Sequence, residues 1–227
     1  MHIREVLIPV RELASLRPFY SEVLGLPIVA DEAASFTLQV GVSRLTFALT
    51  GDDRDPGVQH SAFTIPRNQL AAGKAWLAGR AALLTRDGHD VFSTELWQAQ
   101  QIYFRDPAGH ILELIARQTL NNAATDPFDA RQFLNISEVG LPTADVPETV
   151  AALRRAFGLA VYGEASDTFT AVGDANGLLI VVQTGRHWFS TTIPSVDAPI
   201  AVTLGEGSGV VERGSWVVRG GAVGTTV

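Results

Sequence analysis

An internal repeat constrains the fold of this chain more than any other feature of its sequence. The pattern Glu-Val-x-x-Pro of residues 5–9 returns at residues 138–142, an offset of 133 positions. Two further landmarks keep nearly the same offset: Leu-Gly-Leu at 24–26 against Phe-Gly-Leu at 157–159, and Ser-Phe-Thr at 35–37 against Thr-Phe-Thr at 168–170. Several matched positions at one offset indicate that a structural unit is duplicated along the chain.

Each repeated unit is predicted to be a strand, a helix and three further strands. Apolar periodicity, Pro and Gly give the boundaries. For the first unit they predict a strand over 3–10, a helix over 13–24 that Gly25 ends, and strands near 27–31, 35–40 and 43–49. For the second unit they predict a strand from His60, a helix over 69–81 and strands near 82–85, 90–94, 99–104 and 110–116. Residues 118–132 are predicted to be a linker, a third unit follows, and 196–227 are expected to hold a few strands without a helix.

Composition excludes several classes of function. A net charge of −7 over 227 residues argues against a nucleic-acid or anionic-membrane partner, since either requires a basic surface. The absence of Cys excludes disulfides, thiolate nucleophiles and Cys-based zinc sites. No apolar run approaches the 18 or so residues of a membrane span, and the first residues do not resemble a signal peptide. We therefore expect a cytoplasmic protein whose partner is a small molecule.

Residues 103–115, Tyr-Phe-Arg-Asp-Pro-Ala-Gly-His-Ile-Leu-Glu-Leu-Ile, contain the most informative local motif. Asp-Pro-Ala-Gly at 106–109 is typical of a tight turn between two strands. The strand after it is apolar except for Glu113. A carboxylate inside such a strand needs an ion-pair partner, hydrogen bonds or a metal.

Paired units that end in Asp-Pro-x-Gly-x-x-x-Glu resemble the vicinal oxygen chelate superfamily, which includes glyoxalases, bleomycin resistance proteins and extradiol dioxygenases. The resemblance implies an α+β fold in which βαβββ units form open, cupped mixed sheets. It also implies a glyoxalase-like domain over residues 1–117 with a candidate metal cup, and a degenerate second domain over 133–227.

Carried over to this chain, the family's ligand positions fall on Glu5, His60 and Glu113. They would hold one divalent cation (Mn²⁺, Ni²⁺, Zn²⁺, Mg²⁺ or Fe²⁺), and Glu5 or Glu113 would move a proton as the catalytic carboxylate. Each residue also has a purely structural interpretation: Glu113 paired with an Arg, His60 as a satisfied imidazole, and Glu5 as a structural residue like Glu138 at the matching repeat position.

Six further residues are candidates for the substrate-binding wall, with ordinary core packing as the alternative: Phe36, Arg44, Thr46, Trp97, Gln100 and Tyr103.

The second half is not expected to carry a metal, because Pro199 is aligned with His60. The cluster Arg-His-Trp-Phe at 186–189 is predicted to cap the cup, to form a subunit contact, or to be a loop folded onto the core.

The favoured function is that of a glyoxalase-like metal-dependent enzyme, with lyase or isomerase chemistry on a small substrate that has adjacent oxygens. The alternative is a metal-free protein that sequesters a hydrophobic or aromatic compound, as bleomycin resistance proteins do. A ring-cleaving dioxygenase is disfavoured because the ligand set has a single His. A homodimer is a further expectation.

Overall fold

A computed structural model of the chain describes residues 1–51 and 56–221, and these residues form two curled mixed sheets. The strands are β1 (Ile3–Val10), β2 (Ile28–Asp31), β3 (Ser35–Val40), β4 (Ser43–Leu49), β5 (His60–Thr64), β6 (Phe92–Thr94), β7 (Ala99–Arg105), β8 (Ile111–Arg117), β9 (Asn135–Thr143), β10 (Val161–Ala165), β11 (Phe169–Asp174), β12 (Gly177–Gln183), β13 (Ile200–Leu204), β14 (Val210–Arg213) and β15 (Trp216–Gly220). The predicted α+β fold of βαβββ units in cupped sheets is confirmed.

The repeated units pair in a nested order. Sheet 1 has the order β14-β15-β13-β1-β4-β3-β2, so the first unit joins the last three strands. Sheet 2 has the order β10-β11-β12-β9-β5-β8-β7-β6, so the second unit joins the third. Each sheet therefore takes strands from both sides of the predicted linker. The strands predicted in 196–227 are β13 to β15, and residues 222–227 lie outside the described residues.

The helices are shorter than the periodicity predicts in the first two units. Helix α1 (Leu16–Pro18) passes directly into a π-helical turn over Phe19–Val23. Helix α2 (Leu70–Leu77) ends four residues before the predicted boundary, because the following residue is extended and Gly79 has a φ of +79°. Helix α3 (Val146–Phe157) is the regular one. The side chain of Asp145 caps its N-terminus, and Gly158 ends it in the left-handed conformation.

The strand predicted at 82–85 is wrong: this segment makes only an isolated bridge between Leu83 and Phe104. Trp76 of α2 packs against Phe128 and Phe133, which lie outside the strands. These rings cover the core on the side of α2. In the described part of the chain, no helix has the length and apolar character needed to cross a membrane.

The two sheets share one apolar core, and Ser43 joins them through a buried polar contact. Its Oγ donates to the carbonyl of Ile3 at 2.6 Å and accepts from the amide of Ile136 at 3.1 Å. Ile3 lies in sheet 1 and Ile136 in sheet 2. One hydroxyl therefore satisfies backbone groups of both sheets, which fixes their relative position at this point.

Candidate metal centre

Three neighbouring strands of sheet 2 bring together one imidazole and two carboxylates. Strand β5 lies between β8 and β9, and Ala62 on β5 is paired with Glu113 on one side and with Glu138 on the other. His60 lies two residues before Ala62, and alternate residues of a strand share a face. The pairing register therefore places His60, Glu113 and Glu138 on one face of the sheet.

The donor atoms of this cluster are close enough to share a cation. His60 Nε2 lies 3.5 Å from Glu113 Oε2 and 3.9 Å from Glu138 Oε2. One ligand atom from each of the three residues lies within 4.8 Å of the other two. His60, Glu113 and Glu138 are only 7%, 2% and 3% exposed. Buried charges of this kind require compensation, which ion pairs, protons or a metal can provide.

Arg117, at the end of β8, compensates part of the negative charge of the cluster. Its side chain is fully buried, and its guanidinium forms an ion pair with Glu138 Oε1 and a 3.3 Å hydrogen bond to Ser137 Oγ. Glu138 Oε2 is thus left facing His60. Outer partners that hold a ligating carboxylate in this way are typical of metal sites.

The second carboxylate is not compensated to the same degree. Burial raises the pKa of Glu113 well above its usual range, and the nearby carboxylate of Glu138 raises it further, against the opposing effects of Arg117 and Tyr103. Tyr103 is paired with Glu113 across β7 and β8, and burial raises its own pKa well above the usual range. A site with two desolvated carboxylates, one imidazole and a single nearby guanidinium fits a divalent cation.

The cluster lies in a cavity of about 1140 Å³ that residues of the second and third units line together. The segment 186–194 folds back over this cavity, held by hydrogen bonds from Trp188 N to Ile193 O and from Ser195 N to Arg186 O. The Trp188 ring lies 5.6 Å from the His60 ring. Residues 186–189 line the cavity, and Trp188 is buried in an apolar cluster, which agrees both with a cap and with a loop folded onto the core; the subunit contact stays a prediction.

Glu5 lies far from this cluster in the sheet arrangement. It belongs to sheet 1, is exposed, and its Oε1 lies 3.6 Å from Arg44 Nη1. The pairing registers show why the repeat does not form a second cluster there. Glu5 is paired with Thr203 as Glu138 is paired with Ala62, so the positions that match His60 and Glu113 are Ala201 and Arg219. The residue equivalent to His60 is therefore Ala201, and the predicted alignment with Pro199 is wrong by two positions.

The remaining predicted wall residues divide between the two sheets. Thr46 bonds to Thr37 at 2.9 Å on sheet 1, and Phe36 is a core residue that packs against Phe47. Trp97 and Tyr103 do line the cavity.

Gln100 is exposed and does not line the cavity, whereas Gln101 does. Gln101 and Tyr103 share one face of β7, and the intervening residues point away from it. Gln100 and Tyr103 were both predicted to line the substrate-binding wall, but residues three positions apart on a strand point to opposite faces.

Sequence reasoning set aside Glu138 because its half of the chain was not expected to carry a metal. The signal that could have found it was the repeat itself. Glu5 and Glu138 are equivalent in the repeat. Once the strands are paired, Glu138 has His60 and Glu113 beside it, whereas Glu5 has Ala201 and Arg219 at the matching positions.

Comparison with known proteins agrees with the fold. A model of the Glyoxalase/Bleomycin resistance protein/Dioxygenase superfamily matches residues 2–114. A crystal structure from Bacillus subtilis, provisionally named a dioxygenase, superposes with a TM-score of 0.62 and 18% identity, covering 97% of this chain and 85% of that chain. Glyoxalase I from Zea mays superposes with a TM-score of 0.59 and 14% identity, covering 96% of this chain and 91% of that chain. Curated protein sequences gave no match. Through residues 2–114, the chain belongs to the glyoxalase/bleomycin resistance protein/dioxygenase superfamily.

Proposed function

We propose that this protein is a divalent-metal-dependent enzyme of the glyoxalase type, in which His60, Glu113 and Glu138 hold the cation. The observation that carries the proposal is the convergence of three buried donor atoms within 4.8 Å at the cavity. A divalent cation bound there supplies Lewis-acid polarisation of a carbonyl oxygen, which suits a small substrate with adjacent oxygens. The proposal differs from the sequence prediction in one ligand, Glu138 in place of Glu5.

The surrounding residues have distinct roles in this proposal. Arg117 holds Glu138 in one orientation through the buried ion pair. Burial raises the pKa of Glu113 in the metal-free protein, and a divalent cation bound beside it would favour the ionised form, so Glu113 would serve as a carboxylate ligand. Tyr103 keeps its hydroxyl proton, because burial raises its pKa, and can therefore donate a hydrogen bond to a bound substrate or to Glu113. All three donor side chains come from one chain, so the site needs no second subunit.

The loop that carries Trp188 contributes by excluding water. Trp188 is buried against His60, and Phe189 packs against Phe92 and Tyr103 with ring centroids 5.0 and 5.3 Å apart. These contacts connect the third unit to the second across the cavity. A water-poor site strengthens electrostatic interactions with a bound substrate.

A metal-free sequestering protein is the second candidate, and the aromatic rings around the cavity favour it. Such walls bind apolar compounds whether or not a cation is present. The two candidates differ in one measurable property, which is the metal content of the folded protein.

Elemental mass spectrometry of the purified protein, and of protein reloaded with Mn²⁺, Ni²⁺, Zn²⁺ or Fe²⁺, tests the proposal. We expect near-stoichiometric metal in the wild type and at least about a 10-fold loss of affinity in Glu138→Gln. Glu5→Gln is the matched control, because it changes the equivalent residue of the repeat on the other sheet, and it should leave the metal content unchanged. A wild type that retains none of these metals would favour sequestration instead.

A further inference from the structure

The cavity is larger than a three- or four-atom substrate needs. Its volume of about 1140 Å³ slightly exceeds the range for pockets that enclose drug-sized ligands, roughly 300–1,000 Å³. The metal cluster occupies only one part of the lining. The rest of the cavity leaves room for a further portion of a ligand.

Aromatic rings from both units form one part of this additional wall. Trp97 of the second unit contacts Tyr162 and Phe169 of the third, with ring centroids 5.6 and 6.4 Å apart. At another position Phe189 of the third unit contacts Phe92 of the second at 5.0 Å. Apart from Tyr162, these rings line the cavity. Planar, apolar walls of this kind favour a planar, apolar ligand body.

Two arginines at the cavity are held on these same rings. The guanidinium of Arg86 lies 5.7 Å from the Phe189 ring centroid, and that of Arg186 lies 5.5 Å from the Phe169 centroid. A guanidinium placed over a ring face keeps its N–H edge free for a carboxylate or phosphate.

The existing partners of these arginines leave capacity for an anion. Arg86 has a 3.7 Å contact with Asp87, which is exposed, and Arg186 donates one 3.1 Å hydrogen bond to Thr168. Arg105 also lines the cavity, as does one exposed acid, Glu164. Glu113 and Glu138 of the metal cluster line the cavity as well, so its arginines do not give it an excess of positive charge and act on an anion through their free N–H edges.

We propose that the substrate is an anion with a planar aromatic body: its ring packs against the wall formed by Trp97, Phe169 and Phe189, and its anionic group binds Arg86 and Arg186. Its adjacent oxygens would bind the cation held by His60, Glu113 and Glu138, and this part of the assignment rests on the proposed function. The aromatic and anionic parts of the assignment do not depend on a bound metal.

Isothermal titration calorimetry with three probes tests this assignment on metal-free and on Mn²⁺-loaded protein. The probes are 2-naphthoate, its neutral analogue 2-naphthylmethanol, and hexanoate, an anion without a ring. We expect 2-naphthoate to bind about 10-fold more tightly than either of the others. The double variant Arg86→Gln/Arg186→Gln should remove the preference for 2-naphthoate over 2-naphthylmethanol, and Phe189→Leu should weaken both naphthyl probes.

Arg80→Gln is the matched control, because Arg80 also lies over a ring, 4.6 Å from Trp76, but does not line this cavity. Its binding of all three probes should match the wild type. Equal affinity for 2-naphthoate and 2-naphthylmethanol, or an unchanged 2-naphthoate affinity in the double arginine variant, would overturn the assignment.

Metal content measured on the same samples separates the two proposals. Protein that discriminates among the probes but retains no metal refutes the enzyme proposal alone. Protein that binds metal without discriminating refutes the substrate assignment alone.

Discussion

Replacing Gly140 with Ala should destabilise the protein by pushing Trp188 away from His60. Gly140 lies on β9, and a Cβ added there would lie 2.5 Å from Trp188 Cη2, 3.0 Å from Trp188 Cζ3 and 3.3 Å from His60 Cβ. Carbon atoms pack best about 3.5–4.0 Å apart, so the indole must move by roughly 1 Å. Gly140 has no positive φ, so the effect is steric.

The size of the effect follows from the cost of overpacking a buried site, about 1–3 kcal/mol. In a chain of this length each kcal/mol lowers the midpoint of thermal unfolding by roughly 2–4 °C. We therefore expect Gly140→Ala to lower the midpoint by roughly 2–12 °C in metal-free protein. Differential scanning calorimetry and urea unfolding measure this change.

Two further variants show whether Trp188 is the cause. Gly51→Ala is the control, since no atom of residues 1–51 or 56–221 lies within 4 Å of the added Cβ and the backbone is not left-handed. The double variant Gly140→Ala/Trp188→Leu should recover about 1 kcal/mol relative to the sum of the single changes, because the two sites are in contact. If Gly140→Ala unfolds like the wild type, or if its cost is the same with Leu at position 188, the steric argument is refuted.

Two other predictions concern buried polar groups. Burial lowers the pKa of His110, so the unfolded state takes up a proton first, and the free energy of unfolding should fall as pH decreases from about 6.5 toward the lowered pKa. His110→Asn should flatten this part of the stability–pH curve, which urea unfolding at several pH values measures. An unchanged slope would show that His110 does not cause the pH dependence. Ser43→Ala should lower the free energy of unfolding by about 1–3 kcal/mol, because it leaves the Ile136 amide and the Ile3 carbonyl without their buried partner. Equilibrium unfolding measures this loss. A change within experimental error would show that the hydroxyl does not join the sheets.

The sequence predicted the units well because their signals are local. Alternating apolar residues, Asp-Pro-Ala-Gly and the glycines at helix ends each act within a few residues. His60 and Glu113 could also be paired, because the family resemblance assigns both positions to one cup. The structure brings these two together on adjacent parallel strands.

The third member of the cluster depended on long-range pairing. Glu5 and Glu138 are equivalent in the repeat, and no local signal says which of them lies beside His60. The choice follows from β9 pairing with β5 while β1 pairs with β13. Arg117 likewise lay just beyond the strand predicted at 110–116, and only the sheet order β9-β5-β8 brings it close enough to pair with Glu138.

The nested pairing of the units has a consequence for the order in which the protein folds during synthesis. All strands of sheet 2 have left the ribosome once Gln183 is free, but β1 must wait for β13, which begins at Ile200. Until then one side of β1 is an open edge that a neighbouring nascent chain could pair with. The exposed charges of Arg4 and Glu5 lie on that edge. Charges on an open edge disfavour such pairing, and Glu138, the repeat partner of Glu5, belongs to the sheet whose strands are synthesised first.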